Sequence, residues 1–134
     1  MSKSSTLSTR WTAQEIHPNQ WIPFLAQFTR ENRGAHARLE IVGSSTDIGY
    51  GVETEDRPFE GVSADIKNGE RTVWVAFGSK AENHMTHGIR SAAAIRVLPP
   101  AESTGAVLEI EDSDGTKTIL ELSHPEQFAL APAD

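Results

Sequence analysis

Cysteine is absent from the 134 residues, which excludes disulfides, thiolate nucleophiles and cysteine-ligated zinc and removes any need for an oxidising compartment. Nor is there a run of four or more Lys and Arg, and 19 acids against 12 bases leave a net charge of −7. A surface of that sign repels phosphate instead of releasing counterions from it, so neither nucleic acid nor an anionic membrane is an expected partner. A basic protein or a cationic ligand is favoured. No apolar stretch approaches the roughly 20 residues that span a bilayer, and Met1 to Arg10 hold no apolar segment of a secretory signal. The expected setting is cytoplasmic. Nucleotide fingerprints are also missing: Gly43-Ser44-Ser45 lacks the Gly-Lys-Ser/Thr ending of a phosphate loop, and no G-x-G-x-x-G occurs. Ser63, Ser79 or Ser91 can be paired on paper with His87, but none sits in a G-x-S-x-G elbow. No cofactor is implied.

What is present suits one domain, since a chain of this length can bury roughly two-thirds of its unfolded surface. Residues 1–14 carry seven Ser and Thr without periodicity and are expected to form a disordered tail, with Trp11 as its one aromatic. Residues 15–123 form the expected single domain, and 124–134, with Pro125 and Pro132, a loosely held end.

A single helix is legible between His17 and Gly34, where Trp21, Phe24, Leu25 and Phe28 recur at i, i+3, i+4 and i+7 as one apolar stripe. Asn19 is a candidate cap, although that start would place Pro23 where it deletes the first ladder bond, and a later start would spare it. Gly34 suits the left-handed residue that ends the helix. From Ala37 the apolar period falls to two. Ala37, Leu39 and Ile41 predict a half-buried strand before Gly43; Ile48, Tyr50 and Val52 predict another, in which Gly49 and Gly51 suggest a bend or bulge.

Val62, Ala64 and Ile66, the turn Asn68-Gly69, and Val73, Val75 and Phe77 read as a hairpin. Ile95 and Val97 mark a strand ending at Pro99-Pro100, and Leu108 and Ile110 lead through Asp112-Ser113-Asp114-Gly115 to Thr118, Leu120 and Leu122 as a second hairpin. The fold class is therefore α+β, with one N-terminal amphipathic helix on an antiparallel meander of six or seven strands that tends to curl into a half-barrel or small barrel.

The combination of EIHPNQW, the Phe-rich helix, FEGVSADIKNG, NHMTHGI and LEIEDSDGTKTILEL over residues 15–123 resembles the bacterial domain family of unknown function numbered 5335. The resemblance implies a single bacterial cytosolic domain. It implies no activity, cofactor or catalytic residue.

His84 and His87, with Glu82 nearby on an expected loop, are weak candidates to ligate zinc or nickel or to hold a ligand. Their spacing of three is not that of a helical zinc motif, and a turn or packing role explains the residues more simply. Asp65, Glu60, Glu53, Glu55 and Asp56 gather acids that could separate their pKa values for acid and base work. Period two instead puts Asp65 on the solvent side of its strand, with Ser63 and Lys67. The Asp112-Ser113-Asp114-Gly115 segment opens like a calcium loop but lacks flanking helices and the closing Glu, so a hairpin turn accounts for it. Trp74 is out of phase with Val73, Val75 and Phe77 and faces away from their core side; cover by a second layer is the simpler expectation, and a role in self-association the next. These features favour a non-enzymatic binding or protein-interaction module, acting on a protein partner or a second copy. The alternative is a small enzyme or a metal- or ligand-binding barrel using the His84/His87 loop.

Overall fold

A computed structural model of the chain describes residues 13–43, 50–78, 84–99 and 105–124, with the backbone alone at 50–56. The expectations for Trp11, Ile48, Gly49, Ser79 and Glu82, and for most of both tails, lie outside these residues.

The first described strand, β1 (Gln14–Ile16), lies at the start of the expected domain, with Gln14 alone in what was expected to be tail. A single 3-10 turn, Pro18–Gln20, follows, and the Asn19 N–H donates to His17 Nδ1 at 3.2 Å. The helix proper, α1 (Trp21–Asn32), begins two residues after Asn19, with no side-chain cap at Gln20. Asn19 is thus not the helix cap. Pro23 falls inside the first turn, where its missing N–H removes no ladder bond. Gly34, at φ +89°, ends the helix as expected. Trp21, Leu25 and Phe28 are buried while Phe24 is half-covered, and each fully buried side chain of this size contributes about 1.5–3 kcal/mol. The Trp21 indole N–H donates to the Ile16 carbonyl at 3.0 Å, and the Arg71 guanidinium lies 5.1 Å from the ring centroid.

Seven further strands are β2 (His36–Val42), β3 (Tyr50–Lys67), β4 (Glu70–Phe77), β5 (Met85–Ile89), β6 (Ala92–Leu98), β7 (Ala106–Asp112) and β8 (Lys117–Ser123). All pairs are antiparallel in an eight-stranded sheet ordered β1-β6-β7-β8-β2-β3-β4-β5. Eight strands are one more than the expected range: β1 and β5 were not expected, while the strands expected around Tyr50–Val52 and at Val62–Ile66 are parts of the single β3, and the order is not that of one meander. Two meanders, β2 to β5 and β6 to β8, are joined where β8 lies beside β2. Among the described strands the sheet does not close, because β1 and β5 each end the order.

The 18-residue β3 makes the sheet fold over. Its first half pairs with β2 up to Pro58, and its second half, from Phe59, pairs with β4. Register irregularities fall at residues 52–57 opposite Ala37 to Glu40, and between Phe59 and Gly61; Gly51 pairs regularly with Ile41. The bend is therefore made by extra residues in β3 and not at that glycine. The wing formed by late β3, β4 and β5 folds over the inner face of the larger sheet, and Val62, Val73, Val75 and Phe77 join Leu39, Ile95, Leu108, Ile110, Leu120 and Leu122 in one core that α1 completes. Ile66, expected to face the core, is 48% exposed, because the hairpin tip runs past the core's edge.

Where β3 leaves β2, its edge is covered by α1. The Thr29 hydroxyl donates to the Val62 carbonyl at 3.0 Å and accepts from the Val62 N–H at 2.9 Å, and Arg33 Nε donates to the Glu60 carbonyl at 3.3 Å. The left-handed pair Asn68 (φ +53°) and Gly69 (φ +81°) confirms the expected tight turn.

Candidate functional site

Trp74, Asp65, Glu60, His84 and His87 lie on the wing. Trp74 projects from its outer face, as the phase of β4 predicts, and is 42% exposed without a covering layer. The expected burial is not found, for a specific reason. The directly opposed residue on β5 is Gly88, and a Cβ there would lie 2.5 Å from Trp74 Cζ3 and 2.9 Å from Cε3. The ring thus occupies the space that a side chain at position 88 would take. Asp65, Lys67, Glu70, Thr72 and Arg90 surround it in a groove of about 360 Å³. Asp65 itself is exposed, as expected, and is paired in register with Thr72.

The segment around His84 and His87 is a strand from Met85 onward, not a loop. Side chains three apart on a strand leave opposite faces. His84 lies on the outer side with Thr86: its Nε2 is 3.2 Å from Thr86 Oγ1 and its Nδ1 is 3.1 Å from Glu60 Oε1. His87 alternates with it, half-buried opposite Val75 on the core-facing side. The structure thus brings Glu60, from the β3 bulge, to His84 and takes His87 elsewhere. Among the described residues, no group of three or more His, Asp and Glu is arranged to hold a metal ion. Glu60 stood in the sequence only as one of several acids; its meeting with His84 depends on the β3 to β5 fold-over and had no local signal.

At one end of the molecule three turns converge. Ser91 (φ +53°), between β5 and β6, donates through its hydroxyl to Glu70 Oε2 at 3.3 Å, and its carbonyl accepts from the Ser113 N–H at 2.9 Å. In the β7–β8 turn, Asp112 Oδ1 accepts from the N–H groups of Asp114 (2.9 Å) and Thr116 (3.0 Å), and Gly115 takes φ +87°. The Asp-rich turn is therefore explained by its own backbone. Beside it, between β5 and the inner faces of β2 and β8, is a second groove of about 380 Å³ whose lining includes His87, Ile41, Asp112 and Thr118.

The outer face of the large sheet is charged. Arg96 Nη1 is 2.8 Å from both Glu109 Oε1 and Glu111 Oε1, and its Nε is 3.2 Å from Glu15 Oε1. Hydrogen bonds donated to Glu111 and then to Glu109 hold the Arg96 pKa above its ordinary value. Arg38 sits between Glu40 and Glu121 at 3.8 and 3.4 Å.

Among the described residues, no helix is long and apolar enough to cross a membrane. No curated protein and no solved structure matches the chain at a significant level. A family model does match, over residues 12–130, and carries the fragments on which the resemblance rested, so the chain belongs to the family of unknown function DUF5335.

Proposed function

We propose that this domain is a non-enzymatic interaction module that docks a protein partner, or a second copy of itself, through the outer face of the β3–β5 wing. The observation that carries the reading is Trp74. A large aromatic ring packed over Gly88, 42% exposed and rimmed by charges of both signs, has the layout of an interface centre with a polar rim. β5 adds to this, since it ends the order of described strands and offers an edge beside the ring.

The alternative, a ligand- or metal-holding site on Glu82, His84 and His87, has less support: the two imidazoles leave opposite faces of β5, and His84 is engaged by Glu60 and Thr86.

Light scattering across a concentration series, with affinity capture from native lysate by wild type and by Trp74→Ala, tests the proposal. The expected result is a mass increase with concentration, or a retained protein, that Trp74→Ala abolishes. A strict monomer whose captured proteins are the same for both forms would overturn it.

A further inference from the structure

We infer that the groove between β5 and the inner faces of β2 and β8 is a binding site for a small organic amine, a cationic N–H donor carried on a short alkyl chain. The inference is independent of the Trp74 reading and begins with Thr118. Register places Thr118 directly between Ile41 on β2 and Ile110 on β7, with Ile95 next in line on β6. In that inward-facing row of isoleucines, packing alone asks for another aliphatic side chain. Thr118 is only 3% exposed, and among the described residues its hydroxyl has no hydrogen-bond partner. A desolvated hydroxyl without a partner costs stability, and native proteins keep such groups where something else satisfies them. Thr118 lines the groove, which is the route by which a partner could reach it.

The chemistry of the lining selects the ligand. At about 380 Å³ the groove falls within the range of small-molecule sites. Ile41 and Ile89 supply an apolar wall. Of the lining carboxylates, Asp112 spends Oδ1 on two backbone N–H groups, leaving Oδ2, and Asp114 is exposed at the rim. The Arg90 guanidinium, which also borders the groove, is 81% exposed and lies 3.9 Å from Glu70 Oε2, so its charge is screened by solvent. His87 is already engaged by a partner of its own. What the site has unspent is therefore mainly acceptor capacity, two carboxylates and a hydroxyl beside hydrocarbon, in a chain of net charge −7. An ammonium group with an alkyl stem satisfies both halves, whereas an anion is repelled by the two carboxylates.

The test is an NMR titration of the full chain with 1,4-diaminobutane and, separately, with its uncharged isostere 1,4-butanediol. Saturable shifts confined to Ile41, Ile89, Asp114 and Thr118 are expected with the diamine and not with the diol. Asp114→Asn is expected to weaken the diamine about tenfold, as loss of a charge-assisted hydrogen bond does, and Thr118→Val about threefold to tenfold. Thr118→Val should also leave the melting temperature of the free protein unchanged or raised. Shifts spread evenly over the acidic surface, an equal response to the diol, no saturable response to the diamine, or a lowered melting temperature in Thr118→Val would overturn the inference.

Discussion

Thr29 and Val62 are joined by two hydrogen bonds through a single side-chain oxygen, which donates to the Val62 carbonyl and accepts from the Val62 N–H. A helix side chain thereby does what a neighbouring β-strand would do for the edge of β3, at the point where β2 has left it. Gly61 allows the approach, since a Cβ there would lie 3.1 Å from Thr29 Cγ2.

Replacing Thr29 by Val keeps the shape and removes the oxygen, so both backbone groups of Val62 lose their partner. The expected destabilisation is about 1–3 kcal/mol, read from chemical denaturation, with Thr29→Ser recovering most of it because the hydroxyl is retained. Equal stability of the Val and Ser forms would show that water replaces the bridge.

Gly88→Ala places a methyl group where the Trp74 ring now lies. The ring must lift from the sheet, and its indole N–H resonance should shift while the core resonances of Val73 and Val75 stay in place. The cost in stability should be below about 1 kcal/mol, as for a change at an exposed site. If docking uses the wing, Gly88→Ala weakens association along with Trp74→Ala.

His124 closes the far end of the domain. Its Nε2 donates to Asn32 Oδ1 at 3.1 Å, while Asn32 Nδ2 donates to the Phe28 carbonyl at 2.9 Å, so the buried amide is used on both sides. The imidazole lies against Gly105, where a Cβ would be 2.5 Å from its Cδ2. His124→Ala leaves the Asn32 oxygen unpaired and should destabilise by about 1–3 kcal/mol, measured by thermal or chemical unfolding.

Arg96 lies within 3.2 Å of Glu15, Glu109 and Glu111, and Glu109 is 8% exposed. Removing it as Arg96→Met leaves a largely buried carboxylate beside a like charge, with an expected loss of about 3–5 kcal/mol at neutral pH. Glu15→Gln at the exposed rim should change stability by less than about 1 kcal/mol. Because the folded-state pKa of Arg96 is raised, its contribution is present below the ordinary arginine pKa and is lost only in stronger base. The gap between Arg96→Met and wild type should therefore not be narrowed by any titration of Arg96 between about pH 6 and 9, which denaturation at both ends of that range checks.

The helix and both hairpins were legible because each rests on neighbours in sequence. Trp21, Leu25 and Phe28 lie on one side of any helix with that spacing, and Asn68-Gly69 and Asp112 to Gly115 can turn a chain without help from elsewhere. β1 and β5 were not, since Gln14–Ile16 is too short to show a period and Met85–Ile89, with His87 on its inward side, lacks alternating apolar residues. Recognising β5 as a strand would have parted His84 from His87 at once, because an odd spacing on a strand means opposite faces.

The sequence by itself determined an acidic chain without cysteine, an amphipathic helix at its front and strands of period two behind it, down to the outward direction of Trp74. The three-dimensional packing decided that β8 lies beside β2, that β3 bends at its extra residues, and that Glu60 meets His84 while Thr118 looks into a groove. Local patterns record which face of an element is apolar; which elements become neighbours depends on how those faces are shared in one core, and that is settled between residues far apart along the chain.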